Sequence, residues 1–347
     1  MTTAGAPTPP HRVLLVKPSS LGDVVTAVPV LRGLRRAFPD AHIAWLLGDA
    51  FAPLLADDPD LDEIILFPRK RLGRCWRSPG AARDLRRLIR TLRRGRFDWV
   101  IDLQGLFRSG YFAWRSGAGV RAGFADAREL AGLFYTHRIR PECPHTVDRN
   151  IALTEALGVA ASREDMTLHV PDAARRFAEQ FADEHGLTGR GFLVGVPPTR
   201  WQSKQYPVRH WRAVTRALAD DAPLVLLGAP GDEPLCDAVA DDSPGVVNAC
   251  GRTTIPQMAA LIESAAGVIC SDSAAKFIAP AVGTDAVVLI GPTRVEQTGP
   301  VGSARAILAD VPCRGCRKRF CGHRTCMELI HPREVAAAGR AMLDGAR

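Results

Sequence analysis

The 347-residue chain is 46% hydrophobic and carries a formal net charge of +8, enough apolar content for two sizeable cores. It has no run of about 18 or more apolar residues, which excludes a membrane-spanning helix. Met1 to Pro10 is small and proline-rich, without the charged-then-apolar pattern of a secretory signal, so a cytoplasmic location is the expectation.

The charge is uneven. Twelve Lys or Arg residues lie between Arg69 and Arg96, against one acid, Asp84. Such a block attracts nucleic acid, an acidic membrane surface or a phosphorylated substrate, unless it is only a solvated helix face. Few aromatics interleave it, which argues against single-stranded nucleic acid. Nine cysteines, five of them scattered, do not form a secreted disulfide framework. The other four read Cys313-x2-Cys316-x4-Cys321-x4-Cys326. They are candidate ligands for a structural zinc or iron ion, with reduced structural thiols as the alternative.

Taken in order, Val13–Val16 reads as a buried strand, Pro18-Ser-Ser-Leu-Gly22 as a turn, and Asp23 as the opening of an apolar helix. In an open α/β sheet ligands collect at the carboxyl ends of strands. Asp23 is therefore a candidate general base, with helix capping as its other reading. Further strands are expected at 42–47, 63–67 and 99–103, and a basic helix at 83–94 with Leu85, Leu88, Ile89 and Leu92 on one face. Residues 121–130 and 134–137 read as irregular and polar enough to line a cleft, and 146–157 as a helix. The domain junction is expected within 163–189, beside a helix at 173–184.

The rhythm then repeats, with strands at 192–196, 223–227, 267–270 and 286–290 and helices at 207–218 and 253–265. Alternation of this kind predicts an α/β fold with doubly wound parallel sheets. Two such halves facing across a cleft make a common ligand site. The second half offers a phosphate-binding set at successive strand ends: Thr199 and Lys204, then Asp272-Ser273-Ala274 at a helix start, then Gly291-Pro-Thr293. Each turn alone has a simple capping reading. The first strand is not followed by Gly-x-Gly-x-x-Gly, and the chain lacks Gly-x4-Gly-Lys-Ser/Thr, Gly-x-Ser-x-Gly and His-Glu-x-x-His. Dinucleotide, P-loop, serine-hydrolase and zincin readings are thereby disfavoured.

From Arg12 to about Val335 the chain resembles glycosyltransferase family 9, the ADP-heptose:lipopolysaccharide heptosyltransferases. Lys17-Pro-Ser-Ser-Leu-Gly-Asp23 followed by Pro29 matches the family's N-terminal signature. Asp102-Leu-Gln-Gly-Leu106 with Ser109, and Ala127-Arg-Glu129 through Leu133-Phe-Tyr135, look like the type I branch. The cysteine run ending in Cys326-Met327, with Pro332-Arg-Glu-Val335, looks more like type II.

The resemblance implies a GT-B fold: two Rossmann-like domains, an acceptor-binding one over 11–170 and a nucleotide-sugar-binding one over 171–347 that includes the Cys-rich segment 313–326. It implies inverting, metal-independent transfer without a cofactor, from ADP-heptose to an inner-core lipopolysaccharide sugar. Asp23 matches the catalytic carboxylate. Thr199 and Lys204 match positions that hold donor phosphates, helped by main-chain N–H groups around Asp272, Ser273 and Ala274. Asp232 or Glu233 would reach the ribose. Arg69, Lys70, Arg71, Gln104 and Arg128 would meet the phosphorylated glycolipid acceptor, and the basic block the inner leaflet of the membrane; nucleic acid is not an expected partner.

One departure matters. Where the family shows Asp-Ser/Thr-Gly-x-x-His, this chain reads Asp272-Ser273-Ala274-Ala275-Lys276-Phe277. An alanine preserves the backbone contacts only if φ is negative there, and Lys276 stands as a cation that could replace the lost histidine. Another nucleotide sugar, or a catalytically lapsed sugar-nucleotide-binding protein, is the alternative.

Overall fold

The computed structural model describes residues 7–187, 191–241, 243 and 245–346; most of the proline-rich start at 1–6 and part of the expected junction at 188–190 lie outside them. The chain divides into two compact units at His169/Val170. In the first unit β1 (Arg12–Val16) leads into α1 (Leu21–Val25) and α2 (Val28–Ala37), then β2 (His42–Gly48) and β3 (Glu63–Phe67). A basic pair follows, α3 (Arg69–Leu72) and α4 (Pro79–Arg94). The unit continues with β4 (Trp99–Asp102), α5 (Phe107–Ser116), β5 (Val120–Phe124), β6 (His137–Ile139) and α6 (Thr146–Glu155).

The six strands pair in the order β3-β2-β1-β4-β5-β6, all parallel. Because helices cover both faces, the central strands are apolar throughout rather than alternating. Leu14, Val16, Ala44 and Leu46 pack on one face with Leu88 and Leu92 of α4 and Phe112 of α5.

The second unit runs α7 (Asp172–Glu184), β7 (Leu193–Val196), α8 (Val208–Leu218), β8 (Leu224–Leu226), α9 (Glu233–Ala240), β9 (Val246–Asn248) and α10 (Ile255–Ser264). It closes with β10 (Gly267–Ser271), α11 (Ala275–Ala281), β11 (Ala286–Ile290), α12 (Val295–Thr298), β12 (Ala304–Leu308), α13 (Thr325–Glu328) and α14 (Pro332–Ala346). Its parallel order, β12-β11-β10-β7-β8-β9, repeats the first sheet's topology.

Three local readings change. Asp23 does not open its helix: Leu21 does, with Ser20 as N-cap and Asp23 as the third residue, still in the first turn. The basic helix starts at Pro79 rather than 83, because the Ser78 hydroxyl accepts the Ala81 N–H at 3.4 Å and proline suits the first turn. The stretches 121–130 and 134–137, read as irregular, overlap β5 and the start of β6. Gly123 interrupts the apolar pattern of β5 because a Cβ there would lie 2.3 Å from the Tyr135 ring.

Candidate functional site

Each sheet reverses its strand order once, between β1 and β4 in the first and between β7 and β10 in the second. Crevices at such switch points, beyond the carboxyl ends of the strands, are where open α/β sheets hold ligands. In the first unit, the turn after β1 carries Asp23. Its Oδ2 accepts the Ser20 N–H at 2.9 Å and the Ser20 hydroxyl at 2.7 Å, so the capping reading holds as geometry while Oδ1 keeps its lone pairs. The turn is clamped from β2, where the Gly48 N–H donates to the Pro18 carbonyl at 3.1 Å; a Cβ on Gly48 would meet that oxygen at 2.5 Å.

Beside it, buried Lys17 donates to the Leu103 carbonyl at 2.6 Å, joining the turns after β1 and β4. Burial pushes this ammonium below its ordinary value, against the pull of Asp23 and Asp102. Asp102 is fully buried at the end of β4. It accepts the Tyr135 hydroxyl at 2.6 Å and the N–H groups of Gln104 and Gly105 at 2.9 and 3.1 Å. Burial raises its carboxyl above the usual range, with Tyr135 and the turn N–H groups opposing. Gln104 follows, and its Oε1 is buried without a partner, a state a bound ligand would relieve. Arg128 is exposed, its N–H bonded to the Gly105 carbonyl at 3.0 Å, and its charge acts on Lys17.

The structure thus brings Asp23, Gln104 and Arg128 to one switch point. Arg69, Lys70 and Arg71 stand elsewhere, on α3 after the edge strand β3. There Lys70, Arg71, Arg74, Ser78, Gly80 and Ala81 line a cavity of about 400 Å³. All twelve cations of the 69–96 block are exposed, and among the described residues only Arg71 forms an ion pair, with Asp84.

In the second unit the loop after β7 carries Thr199 and Lys204, and the turn after β10 carries Asp272. Thr199 donates its hydroxyl to the Trp201 carbonyl at 2.8 Å, leaving its oxygen free to accept. Lys204 lies over the Trp201 ring and donates to Asp272 Oδ2 at 2.8 Å. Thr293, from the turn after β11, donates to the same oxygen, and Lys276 binds Oδ1. Burial alone would raise the Asp272 carboxyl, but Lys276 and Lys204 hold it down at about 2. The Ser273 hydroxyl oxygen beside it is buried and unpartnered.

Ala274 has φ −65°, so the alanine is unstrained and its backbone has the negative φ that the contact needs. Phe277 packs in the interior. Asp232 and Glu233 cap the loop before α9, accepting the Ala229 N–H at 3.0 Å and the Gly231 N–H at 2.6 Å.

Comparison with known proteins decides the family. The profile of glycosyltransferase family 9 (heptosyltransferase) matches residues 85–326. The chain belongs to that family. This glycosyltransferase is 29% identical to lipopolysaccharide heptosyltransferase 1 of Pseudomonas aeruginosa, over 96% of its own length and 98% of the relative's. It is 26% identical to lipopolysaccharide heptosyltransferase 1 of Escherichia coli K12, with 89% and 95% covered. Among solved structures it matches a family 9 glycosyltransferase of Veillonella parvula (TM-score 0.84, 24% identity, 96% and 97% covered). It also matches E. coli heptosyltransferase WaaC with ADP-2-deoxy-2-fluoro heptose (TM-score 0.75, 23% identity, 95% and 98% covered). The fold is the two-domain α/β GT-B fold.

The cysteines of this glycosyltransferase require a correction. Among the described residues no group of three or more His, Cys, Asp or Glu side chains is arranged to hold a metal ion. Cys326 is drawn into the second unit's core, where it and Met327 abut Gly291, while Cys316 stays exposed and Cys313 and Cys321 are half-buried. The segment instead buttresses the turns after β7 and β11: Arg317 N–H donates to the Pro292 carbonyl at 2.7 Å, and the Ser203 hydroxyl to the Lys318 carbonyl at 2.6 Å. Lys17, Asp102 and Tyr135 are the site-building residues that the sequence analysis left without a role, whereas Thr293 lies in the third phosphate-binding turn it named and proves to bind Asp272. The first two were visible as polar residues ending apolar strands.

Proposed function

We propose that this glycosyltransferase moves heptose from ADP-heptose to an inner-core lipopolysaccharide sugar, with inversion. The observation that carries the reading is that both units place their candidate groups at the switch points of their sheets, Asp23 after β1 and Lys204 with Asp272 after β7 and β10. End-to-end likeness to proteins named lipopolysaccharide heptosyltransferase 1 supports the donor and acceptor classes.

In this reading Asp23 takes the proton of an acceptor hydroxyl as that oxygen bonds to the anomeric carbon, through its free Oδ1. The anomeric C–O bond to the diphosphate breaks, and ADP departs with the electron pair. Lys204, the Thr199 hydroxyl once it turns from the Trp201 carbonyl to donate, and the backbone N–H groups around Asp272, Ser273 and Ala274 offset the charge that builds on it. Asp232 and Glu233 serve the nucleoside, and Gln104 and Arg128 the acceptor sugar. The 11–170 half then serves the acceptor and the 171–347 half the donor. No step calls for a metal or cofactor.

The cationic face of α3 and α4, with its cavity, suits phosphate groups of the acceptor and the anionic surface in which a glycolipid sits. Trp76 (72% exposed) lies within it, and Phe107, Trp114, Leu130 and Leu133 are exposed on α5 and the turn packed against it. Cations beside exposed aromatics are the composition of a membrane-interface surface, so we place the protein in the cytoplasm, peripheral on the inner membrane.

The test is a turnover and binding panel of ADP-, GDP- and UDP-sugars. ADP-heptose is expected to turn over; turnover of only a GDP- or UDP-sugar would overturn the donor. Asp23→Ala should abolish transfer and leave ADP binding intact, and full turnover by it removes Asp23 from the base role. Binding of ADP-heptose without any turnover by the wild type would instead identify a lapsed enzyme.

A further inference from the structure

We infer that Lys276 is a positioning residue for the donor diphosphate: it neutralises the Asp272 carboxylate through Oδ1, so that Lys204, held on Oδ2, keeps its positive charge for the ligand. The inference rests on the donor site proposed above and adds to it a residue that never touches the donor.

Lys276 sits one turn after Asp272, with 3% of its surface exposed. Its ammonium donates to Asp272 and to the Thr298 carbonyl, and lies 4.8 Å from the centre of the Phe277 ring. A cation enclosed in this way cannot stand in for a histidine that contacts the ligand. Its role has to be exerted on Asp272.

That carboxylate is 5% exposed and receives three donors from three different segments, Lys276 on one oxygen, Lys204 and Thr293 on the other. Counting charge, one carboxylate faces two ammonium groups, a surplus of one positive charge. Lys276 is buried, whereas the Lys204 side chain retains 16% exposure, so the surplus is available to a ligand only at Lys204. Without Lys276 the same carboxylate and Lys204 would form a neutral buried pair. In a poorly screened site such a pair holds its own partner and has little attraction left for an anion.

The test is calorimetric titration of the full chain with ADP and with adenosine. Lys276→Met should weaken ADP binding about tenfold and leave adenosine binding unchanged. Lys276→Gln, which keeps an N–H donor for the Thr298 carbonyl but carries no charge, should show the same loss with the fold conserved. The double variant D272N/K276M, which also removes the carboxylate that captures Lys204, should bind ADP more tightly than K276M alone. A purely structural role for Lys276 would lower affinity for ADP and adenosine together and gain nothing from D272N.

Wild-type ADP affinity in K276M or K276Q, or a double variant no better than the single, overturns the inference. Lys204→Ala separates the two levels. If it leaves ADP affinity unchanged, the donor-site reading itself fails; if it weakens ADP while K276M and K276Q do not, only the role of Lys276 fails.

Discussion

The Tyr135–Asp102 contact sets up a quantitative test of the first switch point. Tyr135→Phe keeps the ring that packs on Gly123 and deletes one hydroxyl, which donates at 2.6 Å to a fully buried carboxylate. A hydrogen bond to a charged group contributes about 1.5–3 kcal/mol, and the two remaining N–H donors from Gln104 and Gly105 both serve Oδ1. Oδ2 thus loses a short, charge-assisted bond and has no solvent to replace it, while the Ser109 side chain still favours the ionised acid, so the cost should fall within that range.

The cost also depends on pH in a defined direction. The Tyr135 hydroxyl lowers the Asp102 carboxyl while burial raises it, the net being a rise above the ordinary 3.8. The tyrosine's advantage therefore belongs to the ionised acid and shrinks as falling pH protonates Asp102. Urea unfolding followed by circular dichroism at pH 7.5 and at pH 4 measures both quantities. A cost below about 0.5 kcal/mol, the scatter of ordinary surface changes, or one equal at both pH values, would refute this account of the turn.

Three further outcomes are expected. Asp272 is held at about 2 against an ordinary 3.8, so it stabilises the fold above pH 3.8 by about 2 kcal/mol and loses this as pH falls towards 2; acid unfolding of D272N should lack that component. Gly123→Ala forces a methyl group to 2.3 Å from the Tyr135 ring and should cost about 1–3 kcal/mol in urea unfolding, with no measurable cost at open Gly132. Replacing exposed Arg83, Arg86, Arg87 and Arg90 by Gln should leave the melting temperature nearly unchanged. At about 1 kcal/mol per cation near an anionic surface, binding to phosphatidylglycerol vesicles should fall about thirtyfold even if only half of these residues meet lipid; undiminished binding would refute the membrane surface.

What could be read from the chain follows from the range of the forces involved. Buried parallel strands such as Val13–Val16 and Ala286–Ile290 are continuous apolar runs, and amphipathic helices such as α8 repeat with their own period, so local pattern reveals them. β5 could not be read in this way. Arg121 and Gly123 break its pattern, and the reason for Gly123 is a tyrosine twelve residues away in sequence and in contact with it in space. β9, three half-buried residues long, and β12 with exposed Arg305 as its second residue are the edge of the sheet on either side, where the apolar demand is weaker.

The site divides along the same line. Asp23 and Lys204 announce themselves because each is a charged residue in a turn that ends an apolar strand. Sequence alone could not say what Lys276 does, since a lysine one turn after an aspartate is equally consistent with a solvated i, i+4 pair. Burial decides between the two. An ammonium removed from water must be compensated by fixed partners, and the partners here, Asp272 and the Thr298 carbonyl, come from its own turn and from α12. The change from histidine to Phe277 then has a local explanation: the ring covers the Lys276 ammonium within the protein and is not presented as a ligand contact. The altered motif is on this argument a rebuilt charge network around Asp272, in which a buried lysine sets the charge that Lys204 can offer to a diphosphate.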